Sequence, residues 1–151
     1  MTSLALYRAV AALSINIGGV APRVYGVATS QKVIPAGNLP ARTITIASGN
    51  DSSTGQATTT GRNPALRTEY TVRDLLLWKP ASFGEALAQD DEALLTYADD
   101  YKELFRANRA IATGILLQTF RTSPGIFAFG EPQSAVSYLG CEVILTVTEL
   151  N

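Results

Sequence analysis

The stretch SYLGCEVILTVTEL, residues 137–150, has the clearest alternation of apolar and polar side chains in the sequence. One phase consists of Leu139, Cys141, Val143, Leu145 and Val147. The other phase contains Glu142, Thr146 and Thr148. Because successive side chains of a strand point to opposite faces, the first phase faces a core and the second faces a wetter environment. The stretch therefore predicts a closing strand that packs its apolar face against helices.

A second strand is predicted from Glu69 to Trp78, and its later half is apolar in both phases. Leu75 and Leu77 fall in one phase, whereas Leu76 falls in the other. A strand that is apolar on both faces is covered on both sides, so this strand belongs at the centre of a sheet.

Other segments have weaker strand patterns. Arg42 to Ala47 alternates threonine with isoleucine, Ile115 to Arg121 is a further strand, and Val24 to Val27 is a short apolar segment. The stretch from Thr122 to Pro132 contains proline and glycine, and we expect it to be rich in turns.

An amphipathic helix is predicted at the N-terminus, from a cap at Thr2 or Ser3 to Gly18 and Gly19. Its apolar positions recur at spacings of 4, 3 and 4, namely Leu6, Val10, Leu13 and Ile17. The segment lacks a basic start and Arg8 interrupts its apolar run, which favours a helix over a signal peptide.

A second helix is predicted after residue 82, where Ser82 and Glu85 have the spacing of a capping box. Its apolar stripe is Leu94, Ala98, Tyr101 and Phe105. Acidic residues at 90–92 and the basic residues Arg106 and Arg109 suit the two ends of the helix dipole.

The order helix, strands, helix, strands predicts an α+β domain, with two main helices packed on one face of a mostly antiparallel sheet. A length of 151 residues with 46% hydrophobic content fits a single domain over residues 1–151. No apolar run approaches the roughly 18 to 20 residues that a membrane span needs, so we expect no membrane contact.

Residues from Ser48 to Arg67 are mostly Ser, Thr, Gly and Asn, with almost no large apolar side chain. A connection of about 20 residues inside a compact domain is uncommon unless it is disordered or functional. The sequence therefore predicts a long polar loop or hairpin extension at about residues 48–68.

The net charge of −1 conceals an asymmetry between the two halves of the chain. Residues 1–68 contain six basic and one acidic side chain, a net +5, and residues 69–151 contain six basic and twelve acidic, a net −6. Opposite signs on one subunit favour head-to-tail association. The alternative is that these charges mix in space once the chain folds.

The sequence excludes several kinds of catalytic site. It contains no histidine, which rules out Ser-His-Asp and Cys-His arrangements and every zinc site that needs histidine. The glycines lack the spacing of a phosphate-binding loop. The acids from Asp90 to Glu103 indicate a solvated helix face rather than a metal cluster, and Cys141 indicates a small core residue. We expect no catalytic residue, no cofactor and no metal.

Four charged residues are candidates for a subunit or partner interface, namely Arg62, Arg67, Asp74 and Glu142. The two arginines lie in the polar segment, where solvent is the simplest alternative partner. Asp74 shares the phase of Leu76, so it is either a buried carboxylate with a partner or a group exposed between subunits. Glu142 lies in the polar phase of the closing strand.

The order of segments resembles the tail terminator, or tail completion, proteins of long-tailed bacteriophages. The N-terminal helix leads to Arg23-Val24-Tyr25 and then to Pro35-Ala36-Gly37-Asn38-Leu39-Pro40, which feeds a strand. This is similar to the family's opening of R-V-Y, short loop, P-x-G-x-x-P and strand, although Ala41 stands where the family often has an aromatic residue. A long β element with a polar tip, the helix around Tyr97 to Phe105 and the terminal strand complete the pattern.

The resemblance implies a structural subunit rather than an enzyme. Copies of it would form a ring, commonly a hexamer, that sits on the last ring of the tail tube protein and stops polymerisation. The ring would also join a head-tail connector protein, and DNA would pass its lumen in passive contact. The protein would be made in the host cytoplasm and reside in the virion, in the tail near the neck.

Three other functions remain open. One is another phage connector or baseplate subunit, which would also form a ring but would contact different partners. A second is a small α+β ligand-binding domain, whose pocket would use Asp74, Arg73 and Trp78. A third is an enzyme that uses carboxylates alone.

Overall fold

The computed structural model describes residues 3–13, 15–25, 33–54, 65–81, 88–131 and 133–150. Two α-helices in this part of the chain are α1 (Ser3–Ala12) and α2 (Ala88–Ala107). Its strands are β1 (Arg23–Tyr25), β2 (Ala41–Thr54), β3 (Ala65–Pro80), β4 (Ala110–Ala112), β5 (Ile115–Phe129) and β6 (Val136–Leu150). Neither described helix is long and apolar enough to cross a membrane.

The strands form one sheet in the order β1-β2-β3-β6-β5-β4. Every neighbouring pair is antiparallel except β1 and β2, which run parallel. Two helices and a mostly antiparallel sheet make this an α+β fold, as the sequence predicted.

The strand β6 confirms the prediction for the closing strand. Its apolar phase is buried and packs in one core with residues of both helices, which include Leu6 and Val10 of α1 and Leu94 and Tyr101 of α2. We call the side of the sheet that these helices cover the inner face and the opposite side the outer face. Both helices therefore lie on one face, because the apolar phases of the strands and the helix stripes bury each other.

The strand β3 lies near the centre of the sheet, between β2 and β6, as its two apolar phases predicted. Leu76 packs on the inner face, whereas Leu75 and Leu77 belong to a second core on the outer face. That second core also contains Ile34, Ala41, Phe129 and Tyr138. The segment before β2 supplies Ile34, and the Tyr138 hydroxyl donates a hydrogen bond of 3.2 Å to its carbonyl oxygen.

The prediction of a turn-rich stretch after residue 121 is wrong. The strand β5 continues without a break to Phe129 and pairs with β6 along its whole length. Pro124 is compatible with this position, because a strand with an open edge does not need every N–H for pairing. Proline and glycine therefore misled the sequence-based prediction here.

The N-terminal helix is shorter than predicted. It ends at Ala12, and Ile17 instead forms an antiparallel bridge with Val20 around Gly18 and Gly19. Both glycines have positive φ angles, of 59° and 81°, which glycine adopts without strain. Leu6 and Val10 are buried as the spacing predicted. The proposed cap at Thr2 and the capping box at Ser82 and Glu85 lie outside the described residues.

The polar segment is a hairpin extension rather than a loop over its described part. The pairing of β2 with β3 continues outward as far as Thr54 and Ala65. Its base is three strands wide, because Arg67 and Glu69 also pair with Leu150 and Thr148 of β6. Residues 55–64 lie outside the described part of the chain.

Candidate assembly interface

Asp74 has a partner inside the domain. It points from β3 into the inner core with 1% of its surface exposed, beside Arg42 of β2. Arg42 Nε donates to Asp74 Oδ1 at 3.1 Å, and the Tyr101 hydroxyl donates to Asp74 Oδ2 at 2.6 Å. Of the two alternatives for Asp74, the buried carboxylate with a partner is correct.

The same guanidinium binds the end of α1. Arg42 Nη1 donates to the carbonyl oxygen of Leu13 at 2.5 Å, and Nη2 donates to that of Val10 at 3.4 Å. Carbonyls at a helix C-terminus lack partners within the helix, and an arginine satisfies them favourably. Arg42 therefore joins α1, β3 and α2 through one side chain.

Burial and charge act in opposite directions on this cluster. Burial alone would lower the pKa of Arg42, but the adjacent Asp74 carboxylate raises it above its ordinary value, so the guanidinium is charged. Burial raises the pKa of Tyr101, whose hydroxyl stays protonated and donates to Asp74. No buried side-chain nitrogen or oxygen among the described residues lacks a hydrogen-bond partner. The cluster is therefore a closed structural network, in which the charged and polar groups bind one another and the end of α1.

The other candidate residues have different positions. Asp74 cannot contact a neighbouring subunit from the core, so its assignment to an interface is wrong. Glu142 lies on the outer face, where its Oε2 accepts a hydrogen bond of 2.6 Å from Arg73 Nε. Arg67 is partly exposed near Thr148 and Glu69. Arg62 lies outside the described residues.

The pocket nominated for a small ligand does not form. Asp74 belongs to the inner face, and Arg73 projects from the outer face of the same strand toward Glu142. Consecutive strand residues point to opposite faces, so these two side chains cannot converge. Within the described part of the chain, no three His, Cys, Asp or Glu side chains come together as a metal site.

Cys141 is a core residue, as its phase predicted. Burial raises the pKa of its thiol to about 11. A thiol with this pKa is protonated at neutral pH, and a protonated thiol is a poor nucleophile.

The sheet ends in two long edges that differ in sequence. On one side, the outward side of β5 pairs with the short β4 at Ile115 and Leu116, and the Leu117 N–H donates to the carbonyl oxygen of Arg109 at 2.8 Å. From Thr119 to Phe129, no described strand covers that side. On the other side, β1 covers only residues 41–43 of β2, and from Ile44 to Thr54 the described residues again provide no neighbour.

An apolar groove lies on the inner face beside the open edge of β5. It is lined by Asp91, Leu94, Leu95, Pro124, Gly125, Ile126 and Leu139. Leu95 is 54% exposed and Ile126 is 62% exposed. Lys79 Nζ donates to Asp90 Oδ1 at 2.5 Å, which holds the start of α2 at the end of β3 and so fixes one wall.

The two halves of the chain contribute different elements to the fold. The basic half supplies α1, β1 and β2, and the acidic half supplies α2, β4 and β5. Arg8 is exposed on α1, whereas Asp91 and Glu92 are exposed at the start of α2. The halves also meet, because Arg42 of the first half pairs with Asp74 of the second and α1 contacts β4. The charges of the two halves mix at these contacts, and the head-to-tail association that the asymmetry favours stays a prediction.

Sequence reasoning missed the groove for two reasons. Ile126 fell in a stretch predicted as turns, and Leu95 falls outside the apolar stripe of α2. An exposed leucine next to the stripe was a signal, but only the fold brings it beside β5.

Comparison with protein-family models gives no match, and no curated protein is significantly similar to this chain.

Proposed function

We propose that this protein is a tail terminator subunit, which forms a ring on the end of a bacteriophage tail tube. In this role it ends polymerisation of the tube protein and presents the surface that binds the head-tail connector protein. The observation that carries the proposal is the pair of long, unlike open edges at the two sides of the sheet. The pattern of segments that resembles the family, from Arg23-Val24-Tyr25 to β6, gives the specific assignment.

Open strand edges present unpaired backbone groups and favour pairing with another chain. Here the available edges are residues 119–129 of β5 on one side and, on the other side, β1 together with residues 44–54 of β2. Because the two edges differ, the contact that joins them is heterologous. Heterologous contacts give closed rings when their rotation closes.

The strand directions support this arrangement. The strands β2, β3, β6 and β5 alternate in direction along the sheet. A neighbour that continues the sheet with its helices on the same side therefore brings its β1 and β2 antiparallel to β5. Antiparallel pairs are the commoner kind and continue the alternation of this sheet.

The hairpin extension provides a separate contact for the tube or the connector. Its base is held by pairing with β6 at Arg67 and Glu69, so its direction is fixed by the domain. Placed in a ring, such extensions reach from each subunit to the lumen, to the DNA that passes there, or to the adjoining ring. They add contacts without enlarging the core.

The test is the mass of the purified protein alone and after mixing with tail tubes, combined with electron microscopy of the tube ends. We expect a closed ring near 0.05 M salt and caps on the tube ends that prevent further growth. Raising the salt to about 0.5 M should slow assembly, because exposed charges are screened within roughly 10 Å at 0.1 M.

A connector or baseplate subunit would form a ring that ignores the growing end of the tube. A ligand-binding domain would remain a monomer at every concentration. A two-fold dimer whose formation is independent of salt would also overturn the ring proposal, because a two-fold contact joins like surfaces.

A further inference from the structure

The register of the sheet places β1 and the apolar groove at the same position along the strand direction, which we call the same height. They lie at opposite edges of the sheet. Arg42, Leu76, Cys141 and Pro124 lie side by side in one row across β2, β3, β6 and β5. Val24 of β1 extends that row beside Arg42. One end of the row is therefore Val24, and the other end is Pro124 in the wall of the groove.

Side chains in one row of a sheet point to the same face. Arg42 points to the inner face, where it contacts α1 and Asp74, so Val24 also belongs to the inner face. The groove lies on the inner face as well, because Leu94 and Leu139 line it. The two features thus share both a height and a face.

Both features expose apolar surface. Val24 is 38% exposed and Val20, at the end of the preceding turn, is 53% exposed. Across the sheet, Leu95 and Ile126 are exposed by more than half. Such side chains cluster on a soluble protein where a partner covers them.

We propose that the groove formed by Leu94, Leu95, Pro124, Ile126 and Leu139 receives residues 20–24 of the next copy in the ring. This inference rests on the proposed ring and names the surfaces that join its subunits. The neighbour's β1 runs antiparallel to β5, since β1 is parallel to β2 and β2 runs opposite to β5. Val24 of the neighbour then covers Pro124 and Ile126.

A second copy fits this groove better than a foreign partner for a geometric reason. Continuation of the sheet at an unchanged height brings Val24 to the groove without any movement of either surface.

The decisive experiment is disulfide cross-linking of the full chain. The double variant Val24→Cys with Pro124→Cys joins directly opposite positions of the proposed contact, and under mild oxidation it should give a ladder of covalent oligomers that ends at the ring size. Each single variant should remain a monomer on a non-reducing gel. Cys141 does not interfere, because it is buried and its thiol is protonated.

The matched control is Val24→Cys with Leu116→Cys. Leu116 is an exposed β5 residue, but it lies at the other end of the strand, beside Thr148. We expect no ladder from this pair. A ladder of equal yield would show that cross-linking reports collision rather than a defined contact, and would overturn the proposal.

Two charged variants distinguish this inference from the ring proposal. Val24→Asp and Ile126→Asp should each abolish the ring while leaving the monomer folded, because both side chains are exposed. An equimolar mixture should give a dimer, in which the intact groove of one variant takes the intact residues 20–24 of the other. If both variants form normal rings, the proposed contact is wrong but the proposed ring is not contradicted. If the unaltered protein never forms a ring, the proposed function itself fails.

Discussion

Arg42 and Asp74, on neighbouring strands, form an ion pair that is fully enclosed by the core. Arg42 Nε lies 3.1 Å from Oδ1 and 3.2 Å from Oδ2 of Asp74, and each side chain is 1% exposed. Such a pair is costly to bury, and removal of one partner leaves the other as an uncompensated charge. The pair therefore makes folding depend on both residues.

Asp74→Ala should lower the free energy of unfolding by about 3 to 5 kcal/mol. The variant leaves a buried guanidinium that also holds the end of α1 through Leu13 and Val10. Urea unfolding of the variant and the unaltered protein measures this difference. Arg73→Ala is the control, since its ion pair with Glu142 is partly exposed and contributes about 0 to 1 kcal/mol. Equal effects of the two substitutions would contradict the assignment of Asp74 to a closed network.

The sequence was sufficient to predict the elements whose patterns depend on burial alone. The apolar phase of β6, the doubly apolar half of β3 and the stripe of α2 were all correct. In each of them the alternation or the helical spacing is set directly by which side faces the core. The same logic predicted that both helices share one face.

The sequence could not predict features that depend on which strands are neighbours. Asp74 was recognised as unusual, but its partner Arg42 is 32 residues away and lies beside it only in the sheet. Likewise, the open edges follow from the strand order, and the groove follows from the position of α2 beside β5. Pro124 marked a turn by its local preference, whereas pairing with β6 kept it in a strand.

The stability of the domain should fall in alkaline solution. Burial raises the pKa of Cys141 from 9.0 to about 11, so the folded form keeps its proton more tightly than the unfolded form does. This group therefore leaves the free energy of unfolding unchanged below pH 9, and lowers it as the pH rises from about 9 to 11. Urea unfolding across this range measures the slope. Cys141→Ala should reduce this dependence of the free energy of unfolding on pH. An unchanged dependence in that variant would show that other groups cause it.

Gly140→Ala should prevent stable folding. Gly140 lies opposite Leu77, next to an irregularity in the pairing of β3 with β6. A Cβ at this position would overlap the carbonyl oxygen of Leu76, and backbone cannot move aside as a flexible side chain can. Gly37→Ala is the matched control, because a Cβ there meets nothing within 4 Å. Circular dichroism and thermal unfolding of both variants test the prediction, which fails if Gly140→Ala melts near the unaltered protein.

The hairpin extension should tolerate shortening at its end but not at its base. Replacement of residues 55–64 by a short Gly/Ser link should leave the melting temperature nearly unchanged and abolish attachment to the tube or the connector. Replacement of residues 50–67 should lower the melting temperature, because it removes backbone pairing at the base of the extension. Arg67 pairs there with Leu150 of β6, and Asn50 pairs with Glu69. Calorimetry and binding to tail tubes compare the two. If the shorter replacement also unfolds the domain, the extension is part of the core.

Two adjacent residues of β6 should respond in opposite ways to substitution, because they point to opposite faces. Val143 is buried between Asp74 and Thr122, its neighbours on β3 and β5. Val143→Asp would place a second carboxylate beside Asp74 without another cation, and a buried unpaired charge exceeds what a stability of about 5 to 15 kcal/mol can absorb. We expect this variant not to fold.

Glu142→Ala should fold normally, since it removes only the partly exposed ion pair with Arg73. If the outer face contacts a neighbouring subunit, the same variant weakens the ring and leaves the monomer intact. Thermal unfolding and the oligomer mass of Val143→Asp and Glu142→Ala separate these effects. Unfolding of Glu142→Ala together with a stable Val143→Asp would reverse the two faces of β6, and with them the position of both helices.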